Sequence, residues 1–269
     1  MKNVAQCRNL VSVVGQRTIT VSLALVFMCG LVTVGPSSVQ AQTYKEKTLY
    51  SFKGGADGVN PLAGLIMDAK GNLYGTTFSG GTSGNGTVFK VSSESKESVL
   101  YSFTGSADGG NPAAGLIMDA KGNLYGTTQY GGTTNNGAVF KVSSKGKESV
   151  LYSFTSSADG ANPEAGLIMD AKGNLYGTAA FGGGAFSDGV VFKVGSKGKE
   201  SVIYTFPGSA DGANPEAGLI MDAKGNLYGT TVFGASGNGV VFKVSSKGEE
   251  TALWNFTGGA DGANPEAGL

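Results

Sequence analysis

A segment of about 51 residues returns along this chain almost unchanged, and that repetition limits the possible folds more than any other feature. An aromatic pair recurs as Tyr50/Phe52, Tyr101/Phe103, Tyr152/Phe154, Tyr204/Phe206 and Trp254/Phe256, at spacings of 51, 51, 52 and 50 residues. The block AGLIMDAKGNLYGT stands intact at 63–76, 114–127, 165–178 and 217–230. VFKV follows at 88–91, 139–142, 191–194 and 241–244, and ADGxNP begins at Ala56, Ala107, Ala158, Ala210 and Ala260. About four full repeats and part of a fifth are present. Such a period marks an array of supersecondary units, each too small to bury its own apolar surface.

Each repeat predicts four short strands. AGLIM is an apolar run of strand length, and the Asp-Ala-Lys-Gly that follows is turn chemistry. NLYGTT is the second strand, and a glycine-rich loop leads to the third, TVFKVS. The fourth is ESVLYSF, whose alternation puts Val99, Tyr101 and Phe103 on one face and Leu100 on the other. No window carries a sustained 3.6-residue period. The expected fold is all-β, a β-propeller-like array of four-stranded blades with apolar residues on both faces of each sheet. Ala63 and Gly64 suit the crowded region near a propeller axis. An open β-solenoid is the alternative, for which this period is long.

The repeat region starts on a fourth strand, 47–52, and stops at Leu269 inside a first strand. These two orphan strands lack the middle strands needed to complete a blade. Either four blades close alone or the chain is part of a longer array, and the expectation is a chain truncated at its C-terminus. At the other end, residues 1–17 carry three positive charges and no acid, 19–34 is mostly apolar, and Val39-Gln40-Ala41 offers small-enough residues for cleavage. The expected organisation is a secretory signal at 1–41 and a repeat domain at 42–269, placing the protein in a periplasm, at the cell surface or outside the cell. The apolar run of 16 residues is shorter than the ~20 that span a bilayer, so no transmembrane domain is expected after cleavage.

Composition then removes whole classes of chemistry. The chain has no His, and its two Cys, Cys7 and Cys29, lie in the signal. Cysteine nucleophiles, Cys/His zinc sites, disulfides and His-based triads are excluded from the mature domain. Losing Lys2, Arg8 and Arg17 leaves 17 basic residues against 20 acidic, a net charge of −3 with no arginine. Nucleic acid is not an expected partner of such a surface. Glycine makes up 46 of 269 residues, well above the usual ~7 %, without a collagen period. No cofactor is implied.

The stretch NLYGTTFSGGTSGNGTVFKVSS, 72–93, and its copies resemble the bacterial GloVer tandem repeat, found in choice-of-anchor tandem repeat GloVer-containing proteins. The resemblance runs from about Tyr50 to Leu269. The third repeat departs from the pattern with Thr178-Ala179 and Gly182-Gly183-Gly184-Ala185, and the fourth has only Gly234 where others have a glycine pair. The resemblance implies an exported, surface-associated repeat protein, often with a C-terminal anchoring element. It supplies no reaction and no catalytic residues.

Candidate sites are few. Asp68, Asp119, Asp170 and Asp222 stand where a calcium loop would start, but Lys70, Lys121, Lys172 and Lys224 sit where a second carboxylate is needed, which favours hairpin turns and no metal. Asp57, Asp108, Asp159, Asp211 and Asp261, with the Asn of ADGxNP, can offer oxygens to an ion or a glycan, or serve only the turn between repeats. The residue before the loop glycines varies: Ser79, Tyr130, Phe181 and Phe233. Its three aromatics either form a stacking platform or cover a blade edge. Glu164, Glu216 and Glu266 are carboxylates of the kind glycoside hydrolysis uses, but identical surroundings argue against the asymmetry such a site needs. The expected function is a non-enzymatic surface or extracellular binding scaffold for polysaccharide or protein. The alternative is a glycan-active enzyme with its site at the propeller mouth or in missing blades.

Overall fold

The computed structural model describes residues 45–269 apart from Ser157 and Ala235, so the expected signal segment lies outside the described residues. Residues 47–269 form one compact unit. It contains four antiparallel sheets of four strands, each sheet built from one repeat in sequential order. The first holds β1 (Ile66–Met67), β2 (Leu73–Thr77), β3 (Thr87–Val91) and β4 (Glu97–Ser102). The second holds β5 (Ile117–Met118), β6 (Leu124–Thr128), β7 (Ala138–Val142) and β8 (Glu148–Ser153). The third holds β9 (Ile168–Met169), β10 (Leu175–Ala179), β11 (Val190–Val194) and β12 (Glu200–Thr205). The fourth holds β13 (Ile220–Met221), β14 (Leu227–Thr231), β15 (Val240–Val244) and β16 (Glu250–Asn255). The fold is the expected all-β, propeller-like array of blades.

The innermost strand is shorter than AGLIM: only the Ile-Met pair joins the ladder. The preceding Ala-Gly-Leu instead passes close to the neighbouring blade. A Cβ added to Gly115 would stand 3.3 Å from the Gly64 carbonyl oxygen, and one on Gly268 the same distance from that of Gly218. Backbones of adjacent blades approach there, most tightly at Gly115 and Gly268; a Cβ on Gly166 or Gly218 would make ordinary contacts of 3.7 and 3.8 Å, and one on Gly64 would meet nothing within 4 Å.

Adjacent sheets bury each other's faces. Ile66, Tyr74, Val88, Leu100, Tyr101 and Phe103 of the first repeat pack on Leu116, Met118, Leu124, Phe140 and Val142 of the second, and equivalent clusters join the second sheet to the third and the third to the fourth. At each junction a phenylalanine that follows the outer strand meets the next sheet edge-on: Phe103–Phe140, Phe154–Phe192 and Phe206–Phe242 have centroids 5.0, 5.0 and 5.1 Å apart. Leu100 and Tyr101 pack in one cluster, although strict alternation places them on opposite faces. The pairing of β3 with β4 shifts register between Val88 and Phe89, and such a bulge reorients the side chains beyond it. The outer faces of the first and fourth sheets do not cover each other. Leu65 is 49 % exposed against 3 % for its equivalents Leu116, Leu167 and Leu219, and Leu253 and Trp254 are exposed on the fourth.

The links add polar stitches. Asn111 adopts φ 56°, a left-handed conformation that Asn tolerates better than most residues. Its backbone N–H donates to Asn85 O (2.7 Å) and its Nδ2 to Phe78 O (3.0 Å) in the first blade, while its carbonyl accepts from Gln129 N (3.2 Å) in the second. One asparagine therefore ties two blades together, and Asn162 and Asn214 repeat the pattern.

Space at the sheet interior is equally specified. A Cβ on Gly126 would lie 2.7 Å from Phe140 Cζ and 3.0 Å from Leu116 Cδ2. Gly126→Ala is expected to lower stability by about 1–3 kcal/mol, as overpacking does. Gly64→Ala, with no atom within 4 Å of its new Cβ, is expected to change it by less than about 0.5 kcal/mol. Urea midpoints measured side by side check the difference.

Candidate functional site

Two sets of surface features alternate with the strand direction. At one end of the strands lie the second-to-third-strand loops and the inter-blade links; at the other lie the two hairpins of each blade.

At the loop end, Tyr130, Phe181 and Phe233 each sit in an isolated antiparallel bridge to the link, opposite Gly110, Ala161 and Ala213. Tyr130 N donates to Gly110 O at 3.1 Å and Gly110 N returns the bond at 2.9 Å. The backbone is thereby fixed while the rings remain 41, 42 and 47 % exposed. Three exposed aromatics thus occupy one equivalent position in successive blades, and Ser79 holds that position in the first. The repeat spacing varies in these loops alone. They run over 78–86, 129–137, 180–189 and 232–239, and their unequal lengths account for the spacings of 51, 51, 52 and 50. The longest carries Phe186, a highly exposed aromatic that the repeat pattern did not single out because it has no counterpart in the other blades.

The link aspartates are turned inward. Asp108 accepts from Tyr101 Oη (2.8 Å) and Thr104 N (2.8 Å), and also from the Thr104 hydroxyl. Asp159 takes the same three from Tyr152 (2.8 Å) and Thr155 (2.7 Å each). Asp57 accepts from Tyr50 Oη and Lys53 N, and Asp211 from Tyr204 Oη. Tyr101, Tyr152 and Tyr204 reach from β4, β8 and β12 to the link that leaves each strand, and Tyr50 does so from a segment outside any strand. The structure therefore brings the aspartates to the strand tyrosines and leaves the aromatic row on its own.

The outer strand opens with a glutamate whose role the sequence pattern did not reveal. Glu97, Glu148, Glu200 and Glu250 each hold Oε1 out of solvent without a hydrogen-bond partner. Burial, and then the charge of Asp108, push Glu148 up to about 7. Burial with Asp159 does the same to Glu200, and burial with Asp211 to Glu250, each to about 7. The signal available in sequence was the invariant Glu at the start of each ESV or ETA strand. Glu164, Glu216 and Glu266 also lie near one another: burial, then the charges of Glu164 and Glu266, raise Glu216. Glu164 alone of the three accepts a bond from Gln129 Nε2.

At the hairpin end, Asp68 is saturated by its own turn. It accepts from Lys70 N (2.9 Å), Asn72 N (2.9 Å), Asn72 Nδ2 (2.7 Å) and Tyr74 Oη (3.0 Å). The Asn72 side chain foremost holds it down at about 2. Asp119, Asp170 and Asp222 repeat the arrangement, so these residues build hairpin turns. Tyr74 faces Lys90 directly across the ladder, and the ammonium lies 5.8 Å from the ring centroid; Lys141, Lys193 and Lys243 cover Tyr125, Tyr176 and Tyr228 at 5.5, 5.4 and 5.9 Å. Among the described residues, no group of three or more His, Cys, Asp or Glu is arranged to hold a metal ion, and no helix is long and apolar enough to cross a membrane.

Comparison with known proteins agrees with this architecture. The family model described as the Gloeobacter/Verrucomicrobia repeat matches residues 35–231 and 149–269. No curated protein matches the chain. Among solved structures, the chain is similar to an extracellular domain ascribed to the one-component system BT4673 of B. thetaiotaomicron, at 10 % identity and a TM-score of 0.55, over 82 % of this chain and 25 % of that one. A second structure of that extracellular domain, described as part of a hybrid two component system, gives 9 % identity and a TM-score of 0.51 over 76 % and 24 %. A structure described as a gluconolactonase aligns at 16 % identity and a TM-score of 0.44, over 70 % of this chain and 61 % of that one. The chain spans about a quarter of the first two structures and under two thirds of the third. At these identities the first two likenesses speak for the fold alone.

The glutamates set a pH dependence. Their value in the unfolded chain is near 4.5 and in the fold about 7. Between those limits the folded state binds more protons, so stability falls as pH rises through that window. The turn aspartates act oppositely: their ordinary 3.8 is lowered to about 2 at Asp68 and Asp222, so that contribution is lost as pH falls below about 4. Urea midpoints are expected to be higher at pH 5 than at pH 7.5, and the triple variant Glu148→Gln, Glu200→Gln, Glu250→Gln is expected to flatten that decline. A wild type equally stable at both values contradicts the assignment.

Proposed function

Because the chain belongs to the Gloeobacter/Verrucomicrobia repeat family, we propose that it is an exported surface module that binds polysaccharide through the row Tyr130, Phe181 and Phe233. The observation that carries this reading is the exposure of three aromatics on bridge-fixed backbone at one position of successive blades. Aromatic rings present flat apolar faces that suit the C–H faces of sugar rings, and a rigid backbone reduces the entropy lost on binding. The loop end also carries all the length variation, which is where binding surfaces tolerate change. Several weak equivalent contacts along one polymer gain by avidity. Residues 1–41 act as the secretory signal in this reading, leaving a mature chain that starts at Gln42. Asp57, Asp108, Asp159 and Asp211 support the site by fixing the links rather than by touching the ligand.

A second reading, a glycan-active enzyme, draws on the mutual proximity of Glu164, Glu216 and Glu266, where two carboxylates in different states could serve as acid and base. Gln129 on Glu164 supplies one asymmetry between them.

Titration of the secreted protein against a panel of neutral polysaccharides tests the first reading. Each of Tyr130→Ala, Phe181→Ala and Phe233→Ala is expected to weaken binding by about 2- to 10-fold, with the losses accumulating in the triple variant. Loss of all binding from one substitution, or none from three, contradicts it. Reducing-sugar release that disappears in Glu216→Gln would favour the enzyme. Mass spectrometry of the exported chain is expected to find its N-terminus at Gln42, and an intact Met1 would contradict the signal.

A further inference from the structure

The hairpin end of the blades has a property that the aromatic row does not use. Between the first and second sheets lies a cleft of about 780 Å³, bounded by Met67, Leu100, Met118 and Leu124 and by the ammonium-bearing residues Lys70, Lys90 and Lys121. We propose that this cleft binds an acidic polysaccharide, with the three lysines taking the carboxylates of its uronic acid residues and the apolar side chains meeting a sugar ring.

The size falls in the range that small ligands or one or two polymer units occupy. Three ammonium groups against two carboxylates leave the lining one positive charge in excess, which favours an anion. Asp68 and Asp119 also line the cleft, but the four hydrogen bonds that Asp68 accepts come from its own turn, and Asp119 is bonded alike by Lys121 N, Asn123 and Tyr125. Among the described residues, Lys70, Lys90 and Lys121 have no carboxylate within ion-pair distance. Lys90 is held in place over the face of Tyr74, which fixes its position and leaves its three N–H donors free for a ligand.

The arrangement recurs. The groove between the second and third sheets is smaller, about 200 Å³, and presents Asp119, Tyr125, Lys141, Met169 and Ser196. Lys193 and Lys243 hold the same pose on the later blades. One fixed ammonium per blade matches a chain molecule with charge repeated along its length better than it matches a single small anion. The described residues contain no arginine, so the planar fork that grips phosphates is missing. Lys90 covers one face of the Tyr74 ring and keeps a base from stacking on that face. Both facts favour a carboxylated sugar polymer over nucleic acid. The cleft lies at the opposite strand end from Tyr130, Phe181 and Phe233, and the proposal stands independently of theirs.

Binding of labelled polygalacturonate, dextran and duplex DNA to the mature protein, at 50 and 200 mM NaCl, tests it. Polygalacturonate is expected to bind, with affinity falling at higher salt. Lys90→Gln and Lys121→Gln are each expected to cost about threefold or more at low salt, and Lys53→Gln, an equal charge change at the loop end, to cost nothing. Glutamine keeps much of the stem, and an unchanged urea midpoint shows that the fold survives. The triple aromatic variant is expected to retain this salt-sensitive binding, which separates its failure from that of the aromatic row. Absent polygalacturonate binding, an equal loss from Lys53→Gln, or tighter binding of DNA overturns the proposal.

Discussion

Each sheet is fastened to the next by the phenylalanine that follows its outer strand. Phe103 leaves β4 and is buried edge-on against Phe140 of the second sheet, and the same contact recurs twice more. A sheet with Val, Leu, Tyr and Phe on both faces has no stable free form in water, because each face needs another to exclude solvent. The rest of the structure follows from that need. Gly126 and its equivalents clear room for the ring, and the bulge at Val88/Phe89 brings Leu100 and Tyr101 to one side. Asn111 then binds the loops of two blades that the rings have brought together.

This dependence explains why polar groups are arranged as they are. The tyrosine beside each anchoring phenylalanine is carried to the blade junction, where its hydroxyl needs a partner and finds the link aspartate. The neighbouring glutamate is drawn into the same junction. Burial with an aspartate beside it then favours its protonated form. Residues that look like ligand groups in sequence are in this way absorbed by the structure, and the groups left free are the loop aromatics and the hairpin lysines.

Much of the fold was legible because the repeat supplies the same signal four times. The four strands per blade, the DAKG hairpin and the Gly-rich loop all come from local alternation and turn chemistry. The length of the inner strand was not legible: AGLIM reads as five strand residues, but only Ile66 and Met67 pair with β2, while Ala63 and Gly64 run beside Gly115 of the next blade. The face of Leu100 was hidden too, since a bulge leaves no mark in an alternating pattern. At the candidate site, the variable position of Tyr130, Phe181 and Phe233 stood out against constant surroundings. The hydroxyl donors to Asp108 and Asp159 did not, because the partners Tyr101 and Tyr152 are set by the path of the link. The half-buried glutamates were obscured because each directly follows another charged residue at the end of the turn between the third and fourth strands.

Amide hydrogen exchange on a chain of residues 42–269 examines the dependence on mutual coverage most directly. Exchange is expected to be slow in β7 and β11, whose sheets are covered on both faces, and faster in β16, which ends a sheet whose outer face carries exposed Leu253 and Trp254. Protection in β16 equal to that in β8 and β12 would contradict it.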